Sequence, residues 1–369
     1  MLFMKNRVIY LLMISVTSTL FASMSEIRLG GRFSGWGQVT AYGSNPMNLG
    51  GRYIPSMEAE ISPQFDTELA GNCYASLSSD YTDELVYSKQ VKPYRMWIRY
   101  TTPRFESRLG LQKINFGPAK ILRSLMWFDW LDPKDPLQFT EGLYGLRLRY
   151  DFQNNANVWI WGLYGNDGPK GWETLPAKNK MPEIGGRVQH PVGNGELAFS
   201  THHRTVNTIG EGTAETRIGL DGMWDIGIGA WFESTLVYAD LEGDGLNWQS
   251  FLTLGADYSI PLGTGLNVMI EHMMLAVGSS PFGDQNNSNV SAFSISYPLG
   301  IMDRLSFFSY YHWDSDIPFH FLSWQRTYDQ WGIYISGYQT SKANDTPMVD
   351  EGAVAMGNQG IQLMVIFNH

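Results

Sequence analysis

Residues 360–369 read GIQLMVIFNH. In an extended chain successive side chains point to opposite sides, so Ile361, Leu363, Val365 and Phe367 share one greasy face and Gln362 lies on the other. The same alternation recurs upstream. In 142–152, Leu146, Leu148, Tyr150 and Phe152 alternate with Arg147, Arg149 and Asp151; in 247–259, Trp248, Leu252, Leu254, Ala256 and Tyr258 alternate with Gln249, Thr253 and Asp257. Strands of this kind separate an apolar medium from water.

Scanning for this period gives eighteen candidate strands: 27–42, 52–62, 67–79, 91–101, 107–116, 142–152, 156–165, 183–190, 195–205, 213–224, 227–239, 247–259, 265–277, 288–298, 304–314, 319–328, 330–340 and 358–367. Most are long enough to cross a bilayer at a tilt, which takes about 9–11 residues, whereas strands of soluble sheets average about 5–6. Short links at 63–66, 102–106, 153–155, 191–194, 225–226, 260–264, 299–303 and near Asp329 alternate with longer ones at 117–141, 166–182, 206–212, 240–246, 278–287 and 341–357. Membrane barrels alternate short periplasmic turns with longer outer loops in this way. The expected fold is all-β: an antiparallel transmembrane β-barrel of about 18 strands, or 16 if the stretches around Ser44 to Pro55 and Ile317 to Gln330 are divided otherwise. An aromatic-tipped final strand suits the same expectation, since bacterial outer-membrane barrels habitually finish so.

Composition agrees. Charged residues are 17% of the chain against about 25% for an average globular domain, while aromatic residues reach 14%. Lys5 and Arg7, an apolar run from Val8 to Phe21, and small residues at Ser23 and Ser25 have the layout of a secretory signal peptide, so residues 1–25 are expected to be removed and 26–369 to form one barrel domain. The expected address is the bacterial outer membrane, reached through the periplasm. No later stretch offers the roughly 20 apolar residues of a membrane helix. Cys73 is the only cysteine, so no internal disulfide forms. With 36 acidic against 26 basic side chains, nucleic acid is not an expected partner; outer-membrane lipid and small hydrophilic solutes are.

The longest link, 117–141, reads GPAKILRSLMWFDWLDPKDPLQFTE. Its Ile121, Leu122, Leu125, Trp127, Phe128 and Trp130 are too apolar to float in water, so this third outer loop is expected to fold into the lumen and narrow it. It carries Lys120, Arg123, Asp129, Asp132 and Asp135 into the constriction. Strand parity points Arg95, Arg99, Arg108, Lys113, Arg147 and Arg149 into the lumen as a basic wall, and Glu196, Glu215, Asp221, Glu233, Asp257 and Glu271 as an acidic one. Opposed walls would set a transverse field, with anion preference where the arginines dominate. The bland alternative is cross-strand pairing that merely hydrates the wall, for which Arg187, Arg204 and Arg217 have acidic neighbours. Trp97, Trp231, Phe308, Tyr310, Tyr334 and Tyr338, also read as inward, would offer sugar rings a track unless they only pack the wall.

Catalysis finds little support, and no cofactor is expected. His202 and His203 point to opposite faces and cannot share one metal, and no GxSxG turn or HExxH helix occurs. Asp129, Asp132 and Asp135 could ligate Ca²⁺, but Pro133 and Pro136 read equally as a rigid turn.

Leu109 to Gly117, the loop reaching Trp127 to Asp135, and the strand from Gly145 to Tyr150 together resemble the G-x-Q strand and following constriction loop of alginate-export-like and related eighteen-stranded porins. The resemblance implies passive diffusion or export of a hydrophilic solute without a cofactor. Where alginate exporters carry Gly-Arg-Gln, this chain has Gly110-Leu111-Gln112, which removes the support for dense polyanion selectivity. The reading is a porin for small hydrophilic solutes, with anion or saccharide preference and a homotrimer as one assembly open to it. The alternatives are a non-conducting barrel acting as receptor, adhesin or structural protein through loops 117–141, 166–182 and 341–357, and a barrel hydrolase using one of His190, His202, His203 or His312.

Overall fold

In the computed structural model, residues 26–41, 47–79, 85–129, 135–208, 212–241, 246–282, 286–340 and 359–369 are described. The signal-like residues 1–25 lie outside them, as do Trp130, Asp132, Pro133 and Lys134 of the long loop and the link 341–358.

Eighteen strands follow one another along the chain: β1 Glu26–Thr40, β2 Met47–Ser62, β3 Phe65–Ser79, β4 Leu85–Thr101, β5 Phe105–Gln112, β6 Leu143–Asp151, β7 Asn157–Leu163, β8 Glu183–Val192, β9 Gly195–Asn207, β10 Gly212–Asp225, β11 Gly229–Ala239, β12 Trp248–Ile260, β13 Leu266–Gly278, β14 Asn286–Pro298, β15 Asp303–His312, β16 Ile317–Thr327, β17 Trp331–Thr340 and β18 Gln359–Asn368. Each pairs antiparallel with its neighbours in sequence, and β18 closes on β1 from Arg32 opposite Asn368 to Thr40 opposite Gly360. Closure leaves no edge strand, so every strand satisfies its backbone groups within the wall. Sixteen strands is excluded.

The decisive alternation holds. Ile361 and Leu363 on β18 are 65% and 49% exposed on the outer face, while Met364 and Ile366 are buried on the inner one. Leu146, Tyr150, Leu254 and Tyr258 likewise look outward. Leu254 sits midway along β12, so Leu254→Arg is expected to destabilise a bilayer-inserted barrel by about 2–4 kcal/mol, the depth-dependent cost of a cation on a lipid face. Urea unfolding in vesicles measures it; no loss of stability would mean this face does not meet lipid.

The short turns, two to five residues each, all lie at one end of the wall. The opposite end departs from the expected rule, because links 80–84, 208–211 and 313–316 are as short as turns. A bulge in β4 was also not foreseen. Ala70 pairs with Arg95 and Gly71 with Pro93, leaving Tyr94 as the extra residue, and this reverses which parity faces inward above and below it. Below the bulge Arg95, Trp97 and Arg99 share the inner face; above it Lys92 does, opposite the buried Asn72.

Candidate functional site

The third outer loop leaves the wall after β5 and folds inward. All of residues 121–129 are buried. Phe116, Leu125, Trp127 and Phe128 form a cluster with Trp161 and Leu163 of β7, and Ile121 and Leu122 form a second with Phe251, Met273, Val290 and Ala292 on β12 to β14. Burying these side chains removes the apolar area that made an exposed loop untenable.

Two wall carboxylates hold the loop's backbone. Glu233 on β11 accepts from Ala119 N (2.8 Å) and Leu125 N (2.9 Å), one on each oxygen. Glu271 on β13 accepts from Lys120 N (2.7 Å), Ile121 N (2.9 Å) and Leu122 N (2.6 Å), and from the Trp231 indole (3.1 Å). Neither residue is more than 1% exposed, and such charges persist only when hydrogen-bonded on both oxygens. Thr253 Oγ1 donates to Leu122 O (2.6 Å) and Thr235 Oγ1 to Ser124 O (2.8 Å), so donors and acceptors of the loop are both met.

The loop's return arm docks elsewhere. Leu137 and Phe139 pack with Met364 and Ile366 of β18, Trp36 of β1 and Tyr334 of β17. Asp135 turns this arm by accepting from Leu137 N (2.9 Å) and Phe139 N (3.0 Å), and Arg52 lies 4.0 Å over the Phe139 ring. Since β12 and β18 stand six strands apart in the closed order, the loop reaches across the bore.

The fourth outer link, 164–182, packs over the third. Trp172 donates its backbone N–H to Met126 O (3.1 Å) and its indole N–H to Arg123 O (2.7 Å). Gly171, at φ +50°, has no room for a Cβ against the Met126 carbonyl. Glu173 lies 2.9 Å from both Arg204 and Arg217, which also bind Glu215. Lys170 pairs with Glu183 (3.0 Å), to which His202 Nε2–H donates (3.0 Å), while the Trp161 indole donates to His202 Nδ1 (3.1 Å). Holding a donor on one side and an acceptor on the other fixes His202 as the neutral Nε2–H tautomer.

The basic residues read from the sequence divide into two groups. Arg95 of β4 is buried beneath the loop, donating to Thr140 O (3.0 Å), and Arg123 is sealed against Asp129 (3.0 Å) inside the loop itself, so Arg95, Arg123 and Asp129 hold the loop rather than line the bore. Lys120 is exposed and Lys113 half-buried. Arg99, Arg108, Arg147 and Arg149 form a patch on β4 to β6 towards the turn end, with Trp97 and Trp159 beneath: Arg108 is 4.4 Å from the Trp97 ring centre and Arg147 5.1 Å from that of Trp159. Asp66 grips Arg99 at 2.8 and 2.5 Å, Asp151 holds Arg149 at 2.8 Å, and Glu106 pairs with Arg147. Arg99 and Arg149 keep 32% and 37% of their side-chain surface in contact with solvent.

No protein-family model matches the chain, and no curated protein matches it in sequence. Solved structures do match in fold. OccAB1 of Acinetobacter baumannii superposes with a TM-score of 0.57 at 10% identity, over 93% of this chain and 96% of that one. OccD3 (OpdP) of Pseudomonas aeruginosa gives 0.57 at 8% identity over 93% and 91%. Wzi of Escherichia coli, an outer-membrane protein involved in group 1 capsule assembly and described as a carbohydrate-binding β-barrel, gives 0.55 at 12% identity over 91% and 84%. What is shared is the barrel.

The acidic wall is not the free arc expected. Glu233 and Glu271 hold the loop, Asp221 binds Arg187 at 2.6 and 2.8 Å, Glu215 binds Arg204 and Arg217, and Glu196 accepts from Gln189 (2.5 Å). Only Asp257, near the turn end, is exposed. A field between two unpaired arcs is therefore ruled out for the acidic side, and pairing explains Arg187, Arg204 and Arg217. Of the inward aromatics, Phe308 and Tyr338 are buried with Phe319 and Phe321 in one packed stack, which is wall packing rather than an open track; Trp97, Tyr310 and Tyr334 are half-buried. His202 points inward and His203 outward onto Thr216, as their alternation required. Glu173, Glu183 and Thr253 were missed: each is an ordinary polar residue until the fold brings it to its partner.

Proposed function

We propose that this chain is a bacterial outer-membrane channel for passive diffusion of small hydrophilic solutes, exported through the periplasm and preferring anions. One observation carries the reading: inside a closed barrel with an apolar outer face, a loop is tied across the bore while the patch Arg99, Arg108, Arg147 and Arg149 keeps contact with solvent. Barrels of this size leave an aqueous channel unless plugged. The fold likeness to Occ-type barrels supports it.

The test is single-channel current of the refolded chain in a planar bilayer under a KCl gradient. Steady conductance with a reversal potential on the anion side is expected. Arg147→Ala with Arg149→Ala should lower the chloride-over-potassium permeability ratio about threefold, since each charge near a narrow aqueous path contributes a fraction of a kcal/mol. Cation preference in the parent would leave a channel but refute control by the arginines.

The packing of the third and fourth links favours a second reading, a non-conducting barrel whose filled bore displays loops to a partner. A folded barrel without current would select it. Saccharide preference is the weaker branch, because the aromatic stack on β15 to β17 is closed. Cross-linking in outer-membrane vesicles would decide whether the barrel assembles as a homotrimer.

A further inference from the structure

Three guanidinium groups stand abreast on the inner wall. Arg99 on β4 is in register with Arg108 on β5, and Arg108 with Arg147 on β6. Like charges placed directly opposite repel unless a counter-charge lies among them. Here that group is Glu106. Its Oε1 binds Arg147 and lies 3.5 Å from Arg108, and its Oε2 lies 3.6 Å from Arg99.

The flanking arginines have carboxylates of their own, Asp66 for Arg99 and Asp151 for Arg149. Among the described residues, Glu106 is the one carboxylate in ion-pair distance of Arg108 and Arg147, so two cations share one anion. Glu106 also leaves donors unused: Nε of Arg108, Nε of Arg147 and the Trp159 indole N–H are buried without a hydrogen-bond partner. The indole faces of Trp97 and Trp159 support the flat sides of the guanidinium groups, so the edges carrying these donors remain to be met by a ligand. The pocket is not sealed, since Glu106, Arg108 and Arg147 keep 19%, 17% and 11% of their side-chain surface exposed.

We propose that Arg108, Arg147 and Trp159 form an oxyanion-binding site on the channel wall, and that Glu106 is its internal occupant and the residue that sets its specificity. A solute oxyanion takes the place of the Glu106 carboxylate and reaches the donors that carboxylate leaves unmet. Chloride, with a single acceptor centre, competes poorly with a tethered carboxylate. The site therefore passes over simple halides and responds to groups with several oxygen acceptors. This role in permeation rests on the channel reading; the site itself does not.

Glu106→Gln removes the charge and keeps the side chain's size. In planar bilayers its chloride-over-potassium permeability ratio should rise about threefold, and the inorganic phosphate concentration that halves the current should fall by a similar factor. Arg147→Gln should shift both quantities the other way. Titration of inorganic phosphate into the refolded protein in detergent tests the site without current: tighter binding by Glu106→Gln than by the parent, and none by Arg147→Gln, is expected. Equal phosphate affinity in parent and Glu106→Gln overturns the proposal, and so does an unchanged reversal potential in a conducting Glu106→Gln barrel. Absence of current in the parent together with tighter phosphate binding by Glu106→Gln would refute the channel and keep the site.

Discussion

Glu233→Gln combined with Glu271→Gln should release the third outer loop from the bore. The donors converge on both oxygens of each carboxylate, and an amide offers only one acceptor. At Glu271 either orientation of the amide leaves two donors facing an NH₂ group: Lys120 N and the Trp231 indole, or Ile121 N and Leu122 N. At Glu233 it leaves Ala119 N or Leu125 N. Three unmet buried donors at about 1–3 kcal/mol each come to roughly 3–9 kcal/mol, more than a loop with water close by will tolerate. The expected results are trypsin cleavage at Arg123, which is 4% exposed in the parent, and a severalfold larger, noisier conductance. An unchanged digest with unchanged current would mean that the apolar clusters hold the loop without the carboxylates. Heat-modified mobility on a gel reports whether the barrel itself survives.

The second large effect lies in the wall. Arg187 and Asp221 are 4% and 3% exposed and joined by two hydrogen bonds, with Ser200 Oγ accepting a further one from Arg187 at 3.0 Å. Asp221→Ala strands a guanidinium group against the Phe116 ring, 5.1 Å away, where water does not reach it freely. Removing one partner of a buried pair costs about 3–5 kcal/mol. Replacing both, Arg187→Met with Asp221→Leu, removes charge and counter-charge together and should restore most of that stability, because neither ion then has to be kept from water. Urea unfolding of the three proteins separates the cases. If the double variant is as unstable as Asp221→Ala, the pair contributes through packing and not through its charges.

The wall was legible because a membrane strand answers to two solvents at once. Leu363 beside Gln362, or Leu146 beside Arg147, leaves one register in which each side chain meets its own medium, so strand positions and faces follow from period two alone. The loop's inward course was legible for a related reason: Leu122, Leu125 and Trp127 have no place in water. The destinations of the charges were not. Nothing near Glu271 marks it as the seat of three backbone N–H groups from residues about 150 positions earlier, and by parity alone it looks the same as any lumenal carboxylate. Glu106 escaped notice for a different reason. The sequence places it in the short link 102–106, whereas β5 begins at Phe105 and pairs Glu106 with Arg149, which puts it on the wall among the arginines. The bulge at Tyr94 is likewise invisible beforehand, although Pro93, which cannot donate to a ladder, marks the neighbourhood.

The loop's docking partners also impose an order of events. Residues 113–142 emerge long before most of the strands that receive them: Trp161 and Leu163 of β7 follow soon, but Glu233 follows Ala119 by 114 residues, Glu271 follows Lys120 by 151, and Met364 and Ile366 come last of all. Contacts so distant in sequence form late, after the entropy of closing the intervening chain has been overcome. A chain inserted only as far as β10 would offer this greasy segment just the β7 part of its seat, Trp161 and Leu163, and would leave Ile121, Leu122 and Leu137 without their partners, exposed to whatever escorts the polypeptide to the membrane. The narrowing of the bore is thus a property of the finished cylinder alone, and a barrel stalled before its final strands would be both wide and sticky.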